Sequence, residues 1–148
     1  MIEIVTLPEM VAIGIDIKAR WEELHEAVPA AWARLHAAGT GAQSFLEASL
    51  GHHDGIHHEL VGYLAAGKSE TPDGMVRIVI AEQRYLKLRH EGPLKTIPQS
   101  YRRLYDHGER MGLRLTDFML DFGYRAGLPE GPHELYVALA AEPLQLGG

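Results

Sequence analysis

The sequence predicts an α+β fold of duplicated β-α-β-β units, forming a largely antiparallel sheet or half-open barrel with two main helices and a central cleft. Three observations predict it. A helical word, Val28-Pro29-Ala30-Ala31-Trp32-Ala33-Arg34-Leu35-His36-Ala37-Ala38-Gly39, returns as Ile97-Pro98-Gln99-Ser100-Tyr101-Arg102-Arg103-Leu104-Tyr105-Asp106-His107-Gly108. A strand word, His58-Glu59-Leu60-Val61-Gly62-Tyr63-Leu64-Ala65, returns at a matching distance as His133-Glu134-Leu135-Tyr136-Val137-Ala138-Leu139-Ala140. Around them stand segments whose apolar residues alternate, the period of a strand with one buried face. Two copies are too few for a solenoid. The expected product is one domain over residues 1–148, with pseudo-repeats near 9–67 and 75–142 and a ligand groove between the halves.

In chain order, residues 2–7 and 10–18 read as strand broken at Pro8, with Val11, Ile13, Ile15 and Ile17 alternating with Ala12, Gly14, Asp16 and Lys18. Trp21, Leu24, Val28, Trp32 and Leu35 then fall at three- and four-residue steps and share a helical stripe. Pro29 requires either a helix start near Ala27 or a kink. Residues 45–51 and 56–66 form two strands joined by Asp54-Gly55, a dipeptide suited to a tight hairpin turn. The second copy opens with residues 75–81, and its strand resumes at 85–90 after the polar bend Glu82-Gln83-Arg84. Leu94, Ile97, Tyr101, Leu104 and Tyr105 make the second helical stripe, with Pro98 in its first turn. Residues 117–124 and 133–140 are the last strands, separated by Gly127-Leu128-Pro129-Glu130-Gly131-Pro132.

Composition narrows the function. A chain of 148 residues filled by the repeat leaves no room for a separate DNA-binding module, and its net charge of −6 repels phosphate backbones, so no direct nucleic-acid contact is expected. Cysteine is absent, which removes thiolate nucleophiles, disulfides and cysteine-based zinc sites. With no long apolar run and no leader-like start, a cytoplasmic protein without membrane contact is expected. Phosphate-cradling glycine loops, dinucleotide fingerprints and Gly-x-Ser-x-Gly motifs are missing, and no cofactor is expected.

Three segments carry a family resemblance: Gly62-Tyr63-Leu64-Ala65-Ala66-Gly67, Pro72-Asp73-Gly74-Met75, and Tyr85-Leu86-Lys87-Leu88-Arg89-His90-Glu91-Gly92-Pro93. In this order they resemble the GyrI-like small-molecule-binding domains, which are also the effector-binding domains of bacterial AraC- and MerR-type transcription regulators. The resemblance implies a central pocket lined by aromatics, with a buried acid that receives cationic, often aromatic ligands, as in multidrug binding. The family's acid sits in a pattern of apolar residue, Glu, any residue, Tyr. Here that strand reads Leu120-Asp121-Phe122-Gly123-Tyr124, with Asp121 in place of the Glu and Gly123 where Tyr is common. The internal repeat sets Ser49 opposite Asp121, which makes the acid a feature of one half.

Asp121, Tyr63 and Trp32 are therefore the expected ligand-binding residues of a stand-alone binding protein that senses or sequesters a small aromatic or cationic molecule. Alternation with Leu120 and Phe122 leads us to expect Asp121 on the side of the strand away from the helices. If the protein senses, a protein partner or a homodimer is the expected route from binding to output. The alternatives are a hydrolase acting on reactive small molecules at the same pocket, with Asp121 as base and Tyr63 as its hydroxyl partner, and a DNA gyrase inhibitor-like protein-binding module. In His52-His53-Asp54-Gly55-Ile56-His57-His58, a two-residue turn sets His52 opposite His57, but no third ligand is evident and no metal is expected.

Overall fold

The computed structural model describes residues 1–66, 68–125 and 131–141. Its elements run β1 (Glu3–Leu7), β2 (Met10–Arg20), α1 (Leu24–Ala37), β3 (Ser44–His53), β4 (Ile56–Leu64), β5 (Val76–Ile80), β6 (Gln83–His90), α2 (Ile97–Arg110), β7 (Leu115–Arg125) and β8 (His133–Leu139). All eight strands form one sheet in the order β1-β6-β8-β7-β3-β4-β2-β5, with every neighbouring pair antiparallel. Exchanging β1 with β5, β2 with β6, β3 with β7 and β4 with β8 reverses that order, which is the signature of two β-α-β-β units about a twofold axis. The axis passes beside the opposed pair Ala48 and Leu120 at the centre of the β3–β7 ladder.

Short connections force the sheet to curl. Only two residues join β5 to β6, yet the strands stand six ladder steps apart, roughly 29 Å in a flat sheet. The chain between Ile80 and Gln83 reaches about 11 Å at most. The sheet therefore wraps into an open barrel with β1 and β5 unbonded at its edges. This revises the expected continuity of residues 75–81 with 85–90: β5 completes the first half by pairing with β2, and β1 completes the second by pairing with β6.

Both faces of the curled sheet bury apolar side chains. Inside the curl lie Ala12, Leu46, Leu60, Tyr85, Leu120 and Tyr136. Outside, α1 packs Ala31 and Leu35 against Ile15, Ile17 and Val61, and α2 packs Leu104 against Leu86, Leu88, Leu135 and Val137. Each helix rests chiefly on its own outer strands, α1 on β2 and β4 and α2 on β6 and β8. The central pair β3 and β7 is left uncovered between them.

Three local expectations change. Pro29 neither starts nor stops α1: the helix continues through it, with only the hydrogen bond to the carbonyl of His25 forgone. Trp21 leaves the helical stripe because residues Trp21–Glu23 form a 3₁₀ turn of three residues per turn, and its ring is 73% exposed. The two strand words are one residue out of register, since Leu60 points inside the curl whereas Leu135 points toward α2. A one-residue slip exchanges faces, so the matching letters Glu59 and Glu134 lie on opposite sides of the sheet. The Asp54-Gly55 turn forms as expected, with φ of 51° and 79°. Residues 127–130 of the Gly- and Pro-rich connection lie outside the described residues.

Candidate functional site: a cleft between the helices

The uncovered strip of β3 and β7 is the floor of a cleft walled by α1 and α2. Residues Phe45, Glu47 and Ser49 of β3 alternate toward the helices, and Met119 and Asp121 of β7 do the same. Asp121 thus faces the helices, not away from them. Alternation with Leu120 and Phe122 holds, but those two residues fill the interior of the curl, so the acid occupies the helix side. A curled sheet buries both its faces, and apolar neighbours alone do not tell which face carries the helices.

The register sets Glu47 directly opposite Asp121. Such cross-strand neighbours hold their Cβ atoms about 5 Å apart, so two carboxylates stand side by side on the floor. Each is tied down. The indole Nε1–H of Trp32 donates to Glu47 Oε1 at 2.6 Å. The Tyr124 hydroxyl donates to Asp121 Oδ2 at 2.7 Å, and His133 Nδ1 lies 2.7 Å from Asp121 Oδ1. Asp121 and His133 are both buried. Next to them, Ser49 donates to Glu59 Oε2 at 2.6 Å.

Gly123 makes this arrangement possible. Residues three apart on a regular strand point to opposite faces, yet Tyr124 and Asp121 share one because the register shifts between Phe45 and Leu46 and skips Gly123. Gly123 has φ of 131°, and a Cβ there would sit 2.6 Å from the Pro132 carbonyl oxygen and 2.9 Å from His133 Cα. The missing side chain is what lets the start of β8 approach and bring the His133 ring to Asp121.

The cleft has two lobes. The outer lobe, about 450 Å³, lies along α1 among Val28, Pro29, Trp32, His36 and Phe45. The inner lobe, about 240 Å³, lies along α2 among Ile97, Pro98, Tyr101 and Met119, with Ser49 and Asp121 at its base. Glu47, Leu94 and Tyr124 line both. Thus the duplicated helical words supply the two walls. The Trp32 ring lies 4.8 Å from that of Tyr124 and 5.8 Å from that of Phe45.

Burial dominates the electrostatics. Desolvation raises the carboxyl pKa of Glu47 above its usual range, against the indole bond of Trp32 that favours the charge. Desolvation likewise raises Asp121, opposed by Tyr124 and His133. Glu59 is pushed up to about 7, again by burial, despite its bond from Ser49. Glu47 and Asp121 repel, which adds to the cost of ionising Glu47. The site is therefore a strip of carboxyl groups in low dielectric, where a cation would gain far more than in water.

Of the residues expected from the sequence, Trp32 and Asp121 meet in this cleft. Tyr63 does not reach it. It packs beside α1 and lines a neighbouring depression with Leu46, Phe122 and Arg125. Glu47, Tyr124 and His133 join Trp32 and Asp121 in the cleft. The available signal for Glu47 was a lone acid between Leu46 and Ala48, on the strand that the twofold axis sets beside Asp121. The histidine run behaves as its turn requires. His52 stands opposite His57 with ring centroids 5.4 Å apart, and His52 Nδ1 lies 3.0 Å from Asp117 Oδ2. Among the described residues no group of three or more histidine and acidic side chains is arranged as metal ligands. No helix among them is long and apolar enough to cross a membrane.

Comparison with known proteins places the family and the fold. A family model described as Cass2, integron-associated effector binding protein, matches residues 3–122. None of the curated proteins compared matches. Among solved structures, SAV2435 bound to tetraphenylphosphonium superposes with a TM-score of 0.73 at 11% identity, covering 95% of this chain and 94% of that one. The EcmrR C-terminal domain gives 0.66 at 15% identity over 95% and 97% of the two chains. The integron cassette protein VCH_CASS2 of Vibrio cholerae gives 0.64 at 8% identity over 94% and 95%. Likenesses this distant in sequence establish the fold.

Proposed function

Because the chain belongs to the Cass2 family of integron-associated effector binding proteins, we propose that the cleft between α1 and α2 takes up a small aromatic cation, which the protein senses or sequesters. One observation carries this reading: Glu47 and Asp121 stand opposite each other on the cleft floor, in hydrogen bonds with Trp32, Tyr124 and His133. Carboxyl groups kept in such a place cost stability unless something positive uses them. The rings of Trp32, Tyr124 and Phe45 offer faces to a flat or multi-ringed cation, adding cation–π attraction to the charge. The neighbour solved with tetraphenylphosphonium supports this class of ligand.

Trp32 is also the reporter. Trp21 is 73% exposed and far less informative, so a Trp21→Phe protein leaves one tryptophan, in the cleft. Tetraphenylphosphonium is expected to quench its fluorescence at one-to-one stoichiometry. It should bind at least about tenfold more tightly than neutral triphenylphosphine oxide, as a desolvated charge contact requires. Equal affinity for the two, or no binding by either, would contradict the reading.

A further inference from the structure

The two carboxylates on the cleft floor are differently placed. Asp121 is committed on both oxygens, Oδ1 to His133 and Oδ2 to Tyr124, and its side chain is 6% exposed. It lines only the inner lobe, at its base. Glu47 is partly exposed, spends Oε1 on the Trp32 indole, and lines both lobes at their junction. The rings that would flank a bound cation, Trp32 and Tyr124, are the two side chains that also fix the acids. The Tyr124 hydroxyl bonds Asp121 while lying near enough to Glu47 to favour its charge.

Resting on the cation-binding reading, we propose a division of labour: Glu47 meets the ligand's positive charge at the junction of the lobes, and Asp121, itself anchored by His133, is a positioning residue that holds the Tyr124 hydroxyl in place. A ligand arriving at Asp121 would have to displace a hydrogen bond to a tyrosine or a histidine. A ligand arriving at Glu47 finds a carboxylate already oriented by the indole and open to both lobes. The charge-reading acid then belongs to β3 of the first unit, and the acid of β7 acts on the geometry of the pocket.

The test compares tetraphenylphosphonium with triphenylphosphine oxide across Glu47→Gln, Glu47→Asp and Asp121→Asn. Glu47→Gln keeps an oxygen for the Trp32 indole and is expected to reduce the cation-over-neutral preference by about tenfold or more. Glu47→Asp should restore part of it. Asp121→Asn is expected to weaken both probes together, through a loosened Tyr124, while leaving their ratio within about threefold. Loss of the preference in Asp121→Asn with its retention in Glu47→Gln would overturn the assignment and leave the cation-binding function standing. A wild-type protein with no preference would overturn the function and the assignment with it. Should Glu47→Gln fail to fold, the carboxyl carbon resonances of the unaltered protein decide. Adding tetraphenylphosphonium is expected to shift Glu47 and lower its pKa with Asp121 little moved, and the reverse pattern would overturn the proposal.

Discussion

Trp32 and Tyr101 hold matching places in the two helical words, yet one donates to a carboxylate and the other to a main-chain carbonyl. Trp32 reaches Glu47 at 2.6 Å, whereas the Tyr101 hydroxyl reaches the Leu120 oxygen at 2.8 Å. The same contrast runs along the floor. About the axis through Ala48 and Leu120, the row holding Glu47 and Asp121 is mirrored by a row holding Met119 and Ser49. The frame is duplicated and the chemistry is not. Duplication supplies two helices straddling an open central strand pair, and divergence in one row sets two carboxyl groups on the floor of the resulting cleft.

The repeat-related glycines give the largest break. Gly51 and Gly123 share nearly the same backbone, φ of 135° and 131°, so any side chain at either costs about 1–3 kcal/mol of strain. Only Gly123 is also crowded by backbone, at 2.6 Å, while at Gly51 the nearest atoms are the Asp117 carboxylate oxygens at 3.9 Å. Gly123→Ala is therefore expected to lower unfolding free energy by about 3–5 kcal/mol in urea titrations, and Gly51→Ala by about 1–2 kcal/mol. Equal costs would mean that the approach of β8 to Asp121 is not what fixes the glycine.

Glu59 and Glu134, equated by the sequence, supply the next. The folded pKa of Glu59, about 7, exceeds its unfolded value of 4.5. The folded state then binds the proton more tightly, so stability falls as pH rises from about 4.5 and levels off above about 7, a loss of about 2–3 kcal/mol. Glu59→Gln should reduce that slope in melts across this range, leaving the share that the raised Glu47 and Asp121 carboxyls contribute. Glu134 lies on the other face with the Tyr136 hydroxyl and Lys87, so the letters that match in sequence do not share this environment.

The smallest contrast is between the ring donors themselves. Trp32→Phe and Tyr101→Phe each remove one donor to a partly buried acceptor, at about 1–2 kcal/mol in stability. Only Trp32→Phe should also weaken tetraphenylphosphonium by about tenfold or more, since it frees Glu47 from its anchor and replaces the indole with a smaller, weaker ring face. An equal loss in both would place the cation in the inner lobe beside α2.

These contrasts mark what the sequence could convey. The helices, the Asp54-Gly55 hairpin and the two-unit plan were legible because periodicity and turn chemistry are local. The edge pairings were not, because the placing of β5 beside β2 depends on curling of the whole sheet. Asp121 is legible as an acid set between Leu120 and Phe122, but its face cannot be read when both faces are buried. Glu47 obeys the same pattern, but its cross-strand neighbour lies 74 residues away in the chain, which no local pattern conveys. Tyr63 is a ring in a shared word that folds onto α1 beside the cleft, lining the neighbouring depression, a placement that its word alone does not convey.

The position of the phosphorus atom in a crystal structure of the tetraphenylphosphonium complex tests the central claim most directly. The account predicts it at the junction of the two lobes, within about 6 Å of the Trp32 and Tyr124 ring centroids and beside the Glu47 carboxylate. Density in the Tyr63 depression, inside the curl, or elsewhere on the surface, with the cleft unoccupied, would contradict it.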